Sequence, residues 1–95
     1  MNIESMRFTF DAHKNSKLKA QRGVNFEDVI VAIHQGYLLD VRPHHNDTQY
    51  VNQDILVVEM INQYIYLVPC IQQEQAVELK TVYPSRKATA IYLNK

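Results

Sequence analysis

The chain has 95 residues, which is enough for one domain with a modest hydrophobic core and too few for two. Apolar residues make up 46% of the sequence and the formal net charge is zero, so the composition is that of a folded protein and excludes a disordered one. The single cysteine, Cys70, excludes an intrachain disulfide, and its place in an apolar run predicts a small buried side chain.

The N-terminal segment has no apolar run of signal-peptide length, and no stretch approaches the roughly 18 apolar residues that cross a bilayer. We therefore expect one cytoplasmic domain over residues 1–95 that makes no membrane contact.

The first part of the chain predicts a strand and two helices. Residues 6–10 form a strand because Phe8 and Phe10 fall on one face. Asp11 can cap a polar helix that runs to Arg22 and stops at Gly23. Asn25 can cap a second helix that ends at Gly36. This helix has an apolar stripe, which we expect to pack on a sheet: Phe26, Val29, Ile30 and Ile33.

The rest of the chain predicts strands and one more helix. Residues 37–42, 54–60 and 64–70 are β-like, with a polar loop at 43–48 and a hairpin connection at 61–63. Residues 76–83 alternate. One face is predicted to carry Val77, Leu79, Thr81 and Tyr83, and the other Glu78, Lys80 and Val82. Pro84 stops that strand. Ser85 can cap a last helix over residues 86–93 whose predicted buried stripe is Ala88, Ile91 and Tyr92.

The predicted order is therefore β-α-α-β-β-β-β-α. This order indicates an α+β fold in which two N-terminal helices pack on a largely antiparallel sheet and a short helix closes the chain.

The charges are unevenly distributed along the neutral chain. Residues 13–22 and 79–95 carry four bases each and no acid, whereas residues 23–78 carry eight acids and one base, Arg42. If the fold joins the two basic segments, a cationic surface for RNA forms. We expect Lys14 or Lys17 to share a face with Arg86 or Lys87, with the acids of the middle segment away from it. The alternative is two separate solvated surfaces.

Two motifs resemble a known family. Phe10 and Asp11 are followed by Lys14, Asn15 and Leu18, and residues 22–27 read Arg-Gly-Val-Asn-Phe-Glu. Residues 83–89 read Tyr-Pro-Ser-Arg-Lys-Ala-Thr. The pair is similar to the opening and closing motifs of the BrnT family of toxins. The resemblance implies a RelE-like fold, cleavage of messenger RNA, and neutralisation by a small antitoxin of the ribbon-helix-helix DNA-binding type. A homodimer or a heterotetramer with the antitoxin is compatible with it.

The sequence departs from the family at two positions. The family has His where this chain has Arg22, and it has Arg five residues before the Arg of its closing motif, where this chain has Thr81. Thr81 favours a non-catalytic module that binds RNA or protein, whereas the intact motif around Arg86 favours an endoribonuclease.

A metal-independent ribonuclease needs groups that take and give protons and fixed cations beside the phosphate. The candidate catalytic residues are Arg86 as the phosphate-binding cation, Lys80 and Lys87 as supporting charges, and His44 or His45 as a proton carrier. The candidate RNA-binding residues are Lys14, Lys17, Arg22 and Tyr50, the last by stacking on a base. No motif for a metal or a nucleotide is present, so we expect no cofactor.

Overall fold

The structure, a computed structural model, describes residues 3–44, 46 and 48–95. After a 3₁₀ turn at Ile3–Ser5, the elements are β1 (Arg7–Thr9), α1 (Ala12–Arg22), α2 (Phe26–His34), β2 (Leu38–Pro43), β3 (Asp54–Glu59), β4 (Ile65–Gln72), β5 (Ala76–Leu79), β6 (Tyr83–Pro84) and α3 (Arg86–Leu93). Among the helices of the described residues, none has the length and hydrophobicity that a membrane span requires.

The helix ends follow the capping residues of the sequence. Asp11, Asn25 and Ser85 each accept a hydrogen bond from the backbone N–H three residues further on, at 2.8–3.0 Å. Gly23 ends α1 with a φ of +68°, a left-handed conformation that glycine adopts without steric cost. The three helices therefore begin where the sequence predicts.

The sheet has six strands in the order β1-β5-β4-β3-β2, and β6 pairs with β4. The neighbours are antiparallel except for β1 and β5, which are parallel. This confirms the predicted α+β fold with a largely antiparallel sheet. The parallel pair forms where β1, the first strand of the chain, joins the sheet beside β5.

Alternate residues of the central strands point to opposite faces of the sheet. On β3, Leu56 and Val58 belong to the core cluster beneath α1 and α2, whereas Val57 belongs to a second cluster beneath α3. We call these two sides the α1/α2 face and the α3 face. The sheet therefore separates the two N-terminal helices from the C-terminal helix.

The main core lies on the α1/α2 face. Phe26, Val29 and Ile33 are fully buried there, which confirms the predicted stripe of α2. Complete burial of side chains of this size is worth about 1.5–3 kcal/mol each. Asn15 joins the two helices, because its Oδ1 accepts from the Phe26 N–H at 2.8 Å and its Nδ2 donates to Glu27 at 2.6 Å.

The prediction of one continuous strand over residues 76–83 is wrong. Leu79 pairs with Cys70, but Tyr83, four residues later, pairs with Leu67, only three residues away on β4. One extra residue therefore lies between β5 and β6 and reverses the alternation. As a result Val82, predicted to face away from the apolar residues, is fully buried with them.

The α3 face is more thinly covered. Ala88 packs on Val57 and Ile65, and the Thr89 hydroxyl accepts from the Ile65 N–H at 2.9 Å. Ile91, predicted to be part of the buried stripe, is 59% exposed. The helix turns this residue out because it rests on the sheet through Ala88 and Tyr92 instead.

Candidate active site

A cleft of about 330 Å³ opens on the α3 face between β2 and α3. It exists because α3 has eight residues, a length of about 12 Å, and packs over β4 while β2 stands at the edge of the sheet. The floor is apolar and consists of Ile55, Val57 and Leu67. The walls carry polar groups, including Arg42 from β2 and Ser85, Lys87 and Tyr92 from α3 and its cap.

A hydrogen bond connects the two walls. The Tyr92 hydroxyl donates to Asp40 Oδ2 at 2.6 Å, and Asp40 Oδ1 accepts from the Val41 N–H at 2.8 Å. Both oxygens of this carboxylate are therefore held. The hydrogen bond to Asp40 raises the pKa of the Tyr92 phenol, while the neighbouring Arg42 guanidinium acts in the opposite direction. Tyr92 consequently remains protonated at neutral pH.

Two cations line the cleft from opposite walls. Arg42 stands on β2 and Lys87 in the first turn of α3, and neither forms a salt bridge within the described part of the chain. A guanidinium can hold two phosphate oxygens at once, and an ammonium adds a compact charge. The cleft is therefore lined by two cations and by a tyrosine whose hydroxyl donates to a carboxylate beside the cleft.

The structure separates the three cations predicted to be catalytic. Arg86 and Lys87 are both exposed, but Lys87 lines the cleft and Arg86 does not. Lys80 is half-buried and lies 3.5 Å from the Glu78 carboxylate, also outside the lining. Adjacent helical positions differ by about 100° in direction, so Arg86 and Lys87 cannot both face the same wall.

The predicted histidines have a different setting. His44 is buried, its Nδ1 accepts from the Asn46 N–H at 3.0 Å, and its ring lies against Tyr50 with centroids 4.4 Å apart. His45 lies outside the described residues. No group of three or more histidine, cysteine or acidic side chains among the described residues is arranged to hold a metal ion.

The prediction that the two basic segments share one face is wrong. The Leu18 side chain anchors α1 on one side of the sheet and Ala88 anchors α3 on the other. Lys14 and Lys17 are exposed on α1 and are not among the residues that line the cleft. Arg22 alone of the predicted set reaches toward the C-terminal segment, where its guanidinium donates to the Val82 carbonyl at 2.6 Å.

The acidic middle of the chain is also placed differently from the prediction. The sequence predicts that Asp40 lies away from the groove, but its carboxylate accepts a hydrogen bond from Tyr92, which lines the cleft. Asp54 accepts from Gln72 at 2.8 Å, and Asp47 lies outside the described residues. Asp40 lies beside the cleft because it is on β2, the edge strand that faces α3.

Cys70 has the predicted structural role. It is fully buried, and burial together with the nearby Asp54 carboxylate raises the pKa of the thiol to about 12. A thiol with this pKa stays protonated at neutral pH and is a poor nucleophile.

Sequence reasoning missed three residues of the candidate site: Arg42 and Tyr92, which line the cleft, and Asp40, which accepts a hydrogen bond from Tyr92. The sequence could have identified Arg42 as a candidate site residue, since it is the one base in residues 23–78. Asp40 and Arg42 also have the spacing of two that places both on one face of a strand. No feature of the sequence identifies Tyr92 as a site residue, because an aromatic residue in a short helix is most often part of a core.

Comparison with known proteins supports the fold. No family profile matches the sequence, and a search of curated proteins gives no significant match. The fold is similar to that of the Brucella abortus ribonuclease toxin BrnT, known from a crystal structure, with a TM-score of 0.64 and 18% sequence identity. The match covers 85% of this chain and 97% of the Brucella protein. The chain therefore has a BrnT-like fold.

Proposed function

We propose that this chain is a metal-independent endoribonuclease toxin that cleaves messenger RNA and inhibits translation. One observation carries the proposal: the cleft on the α3 face holds Arg42 and Lys87 beside the Tyr92–Asp40 pair. These are the groups that cleavage by the 2′-hydroxyl requires, namely fixed cations for the phosphate and groups that transfer protons. The fold shared with a ribonuclease toxin supports the same reaction.

In this proposal the scissile phosphate lies between the two walls of the cleft. The Arg42 guanidinium binds two of its oxygens and the Lys87 ammonium stabilises the negative charge that grows during attack. Arg86 remains a proposed contact to a phosphate of the RNA outside the cleft, since it is exposed in the same helical turn. The apolar floor lies beneath the sugar.

The partner that we propose is a small antitoxin, which would block activity by covering the cleft. A ribbon-helix-helix protein encoded next to this chain is the expected form, as for the family that the sequence resembles. Inspection of the neighbouring reading frame tests this directly.

The test of the function is RNA cleavage by the purified chain. We expect cleavage to 2′,3′-cyclic phosphate and 5′-hydroxyl ends, unchanged by EDTA, and slower growth of bacteria that express the chain alone. Arg86→Ala is expected to fold and to relieve the growth defect. Activity that EDTA abolishes and a divalent metal restores would refute the metal-independent mechanism.

A non-catalytic binding module is the second candidate, favoured by Thr81 where the family carries an arginine. The same assay separates the two candidates. RNA that binds in the cleft, with Arg42→Gln weakening the binding, but is never cut would establish the binding module.

A further inference from the structure

We infer that Asp40 and Tyr92 form a proton-transfer pair for cleavage of RNA phosphodiesters, in which Asp40 takes the 2′-hydroxyl proton and Tyr92 protonates the leaving 5′-oxygen. The inference rests on the proposed ribonuclease function and names the groups that move its protons. It uses two residues outside both motifs that relate the sequence to known toxins.

The geometry is that of a positioned pair. The Tyr92 hydroxyl oxygen and Asp40 Oδ2 lie 2.6 Å apart, although the two residues are separated by 52 positions in the sequence. The Val41 N–H fixes the other carboxylate oxygen at 2.8 Å, so the carboxylate cannot rotate freely. Both side chains are half-buried, and Tyr92 lines the cleft that Arg42 and Lys87 also line.

The protonation states suit the two roles. A phenol that donates to a carboxylate keeps its proton at neutral pH, so Tyr92 can serve as an acid. The carboxylate that accepts this bond has lone pairs available to a second donor, so Asp40 can serve as a base. When RNA binds, its 2′-hydroxyl replaces the phenol as the donor to Asp40 Oδ2, and the phenol turns to the 5′-oxygen.

The step balances without a co-reactant. The 2′-oxygen forms a bond to phosphorus as its proton passes to Asp40, and the bond from phosphorus to the 5′-oxygen breaks as that oxygen takes the Tyr92 proton. The products are a 2′,3′-cyclic phosphate and a 5′-hydroxyl. The proton on Asp40 then returns to the Tyr92 phenolate along the 2.6 Å hydrogen bond, which restores the resting pair.

The test compares two leaving groups at a mapped cleavage site. One RNA carries the natural 5′-oxygen, and the other carries sulfur in its place. The sulfur leaves as a thiolate and needs no proton from an acid. We expect Tyr92→Phe to slow cleavage of the natural RNA by about 10²–10⁴-fold and to leave cleavage of the sulfur-substituted RNA nearly unchanged.

Asp40→Asn should slow both substrates by about 10²–10⁴-fold, because both need the 2′-hydroxyl proton removed. Asparagine keeps the oxygen that accepts from the Val41 N–H, so the strand is preserved. The matched control is Tyr37→Phe, which changes an exposed tyrosine that is not part of the cleft and should leave both rates unchanged.

The outcomes separate the two levels of the proposal. If the wild-type chain cuts RNA but Tyr92→Phe slows both substrates equally, or neither, Tyr92 is not the acid and the inference is overturned. Full activity of Asp40→Asn overturns the role of the base. If Asp40→Asn fails to fold, the Tyr92→Phe comparison still decides. A wild-type chain that cuts neither RNA refutes the ribonuclease function itself.

Discussion

The two faces of the sheet differ in how completely helices cover them. Among the described residues, sixteen buried side chains form the core of the α1/α2 face, whereas three form the buried cluster of the α3 face. Two helices cover the first face, and one helix of eight residues covers part of the second. Most of the stabilising burial therefore lies on one side of the molecule, which leaves the other side able to keep an open cleft.

Polar groups follow the same division. On the α1/α2 face, buried Asn15 has its amide and carbonyl bonded within the joint of α1 and α2. On the α3 face, Arg42 and Lys87 line open space instead of forming salt bridges within the described part of the chain. Two cations that line the same concave site raise the positive potential there, which favours an anionic ligand.

The largest effect on stability is expected at the centre of the covered face. Phe26→Ala removes a fully buried ring that stacks against Phe10, and should lower the free energy of unfolding by about 3–5 kcal/mol. Urea unfolding measures the change. Ile61→Ala, at a fully exposed apolar residue, is the control and should stay within about 0.5 kcal/mol of the wild type. A loss below about 1 kcal/mol for Phe26→Ala would show that the core is not where we place it.

The next effect concerns activity on the open face. Arg42→Gln removes the charge and shortens the side chain but keeps a polar amide, and should lower kcat/KM for RNA cleavage by about 10²–10³-fold. Arg7→Gln is the control, since Arg7 is an exposed arginine on β1, at the opposite edge of the sheet. Steady-state cleavage of a labelled RNA gives both values. Equal rates for the two variants would remove the cleft from the mechanism.

Much of the fold could be predicted because its determinants are local. Asp11, Asn25 and Ser85 cap the helices they precede, and the α2 stripe is visible at a spacing of three and four. The bulge before β6 could not be predicted, because nothing in residues 80–82 distinguishes a continuous strand from one with an inserted residue. Pairing with β4 decides between them, and pairing depends on residues far away in the sequence.

The candidate site was predictable only in part for the same reason. Thr89, in the closing motif, anchors α3 to β4 through its hydroxyl, and Ser85 caps the helix, so these motif positions serve the fold. Lys87 was found because it adjoins them. Asp40 and Tyr92 are hydrogen-bonded although they are 52 positions apart in the sequence, and no local sequence pattern predicts such a contact.

A smaller effect tests the comparison within a single strand. Val57 and Val58 are neighbours on β3, both nearly completely buried, and they face opposite sides of the sheet. We expect Val58→Ala to cost about 2–3 kcal/mol and Val57→Ala about 1–2 kcal/mol, because the closed core cannot relax into a cavity as readily as the cluster beside the cleft. Urea midpoints with equal slopes give the difference. The reverse order would contradict the division into a closed and an open face.

The smallest effect, on the salt dependence of RNA binding, is expected at the basic residues of α1. The sequence alone predicts that these residues contribute strongly to RNA binding. Because α1 and α3 lie on opposite faces, an RNA held in the cleft does not contact Lys14 or Lys17. The double variant Lys14→Gln and Lys17→Gln should therefore bind a 2′-deoxy oligonucleotide, which cannot be cut, with the same dependence on salt as the wild type.

Lys87→Gln removes a cation from the cleft and supplies the comparison. It should reduce the slope of log K against log salt by about 0.7, the value for one phosphate contact to a single strand. Titrations at several salt concentrations measure both variants. A reduced slope for the α1 variant alone would mean that RNA binds the α1/α2 face. A reduced slope for both variants would mean that the strand runs around the edge of the sheet, so that the two basic segments act on one RNA from opposite sides.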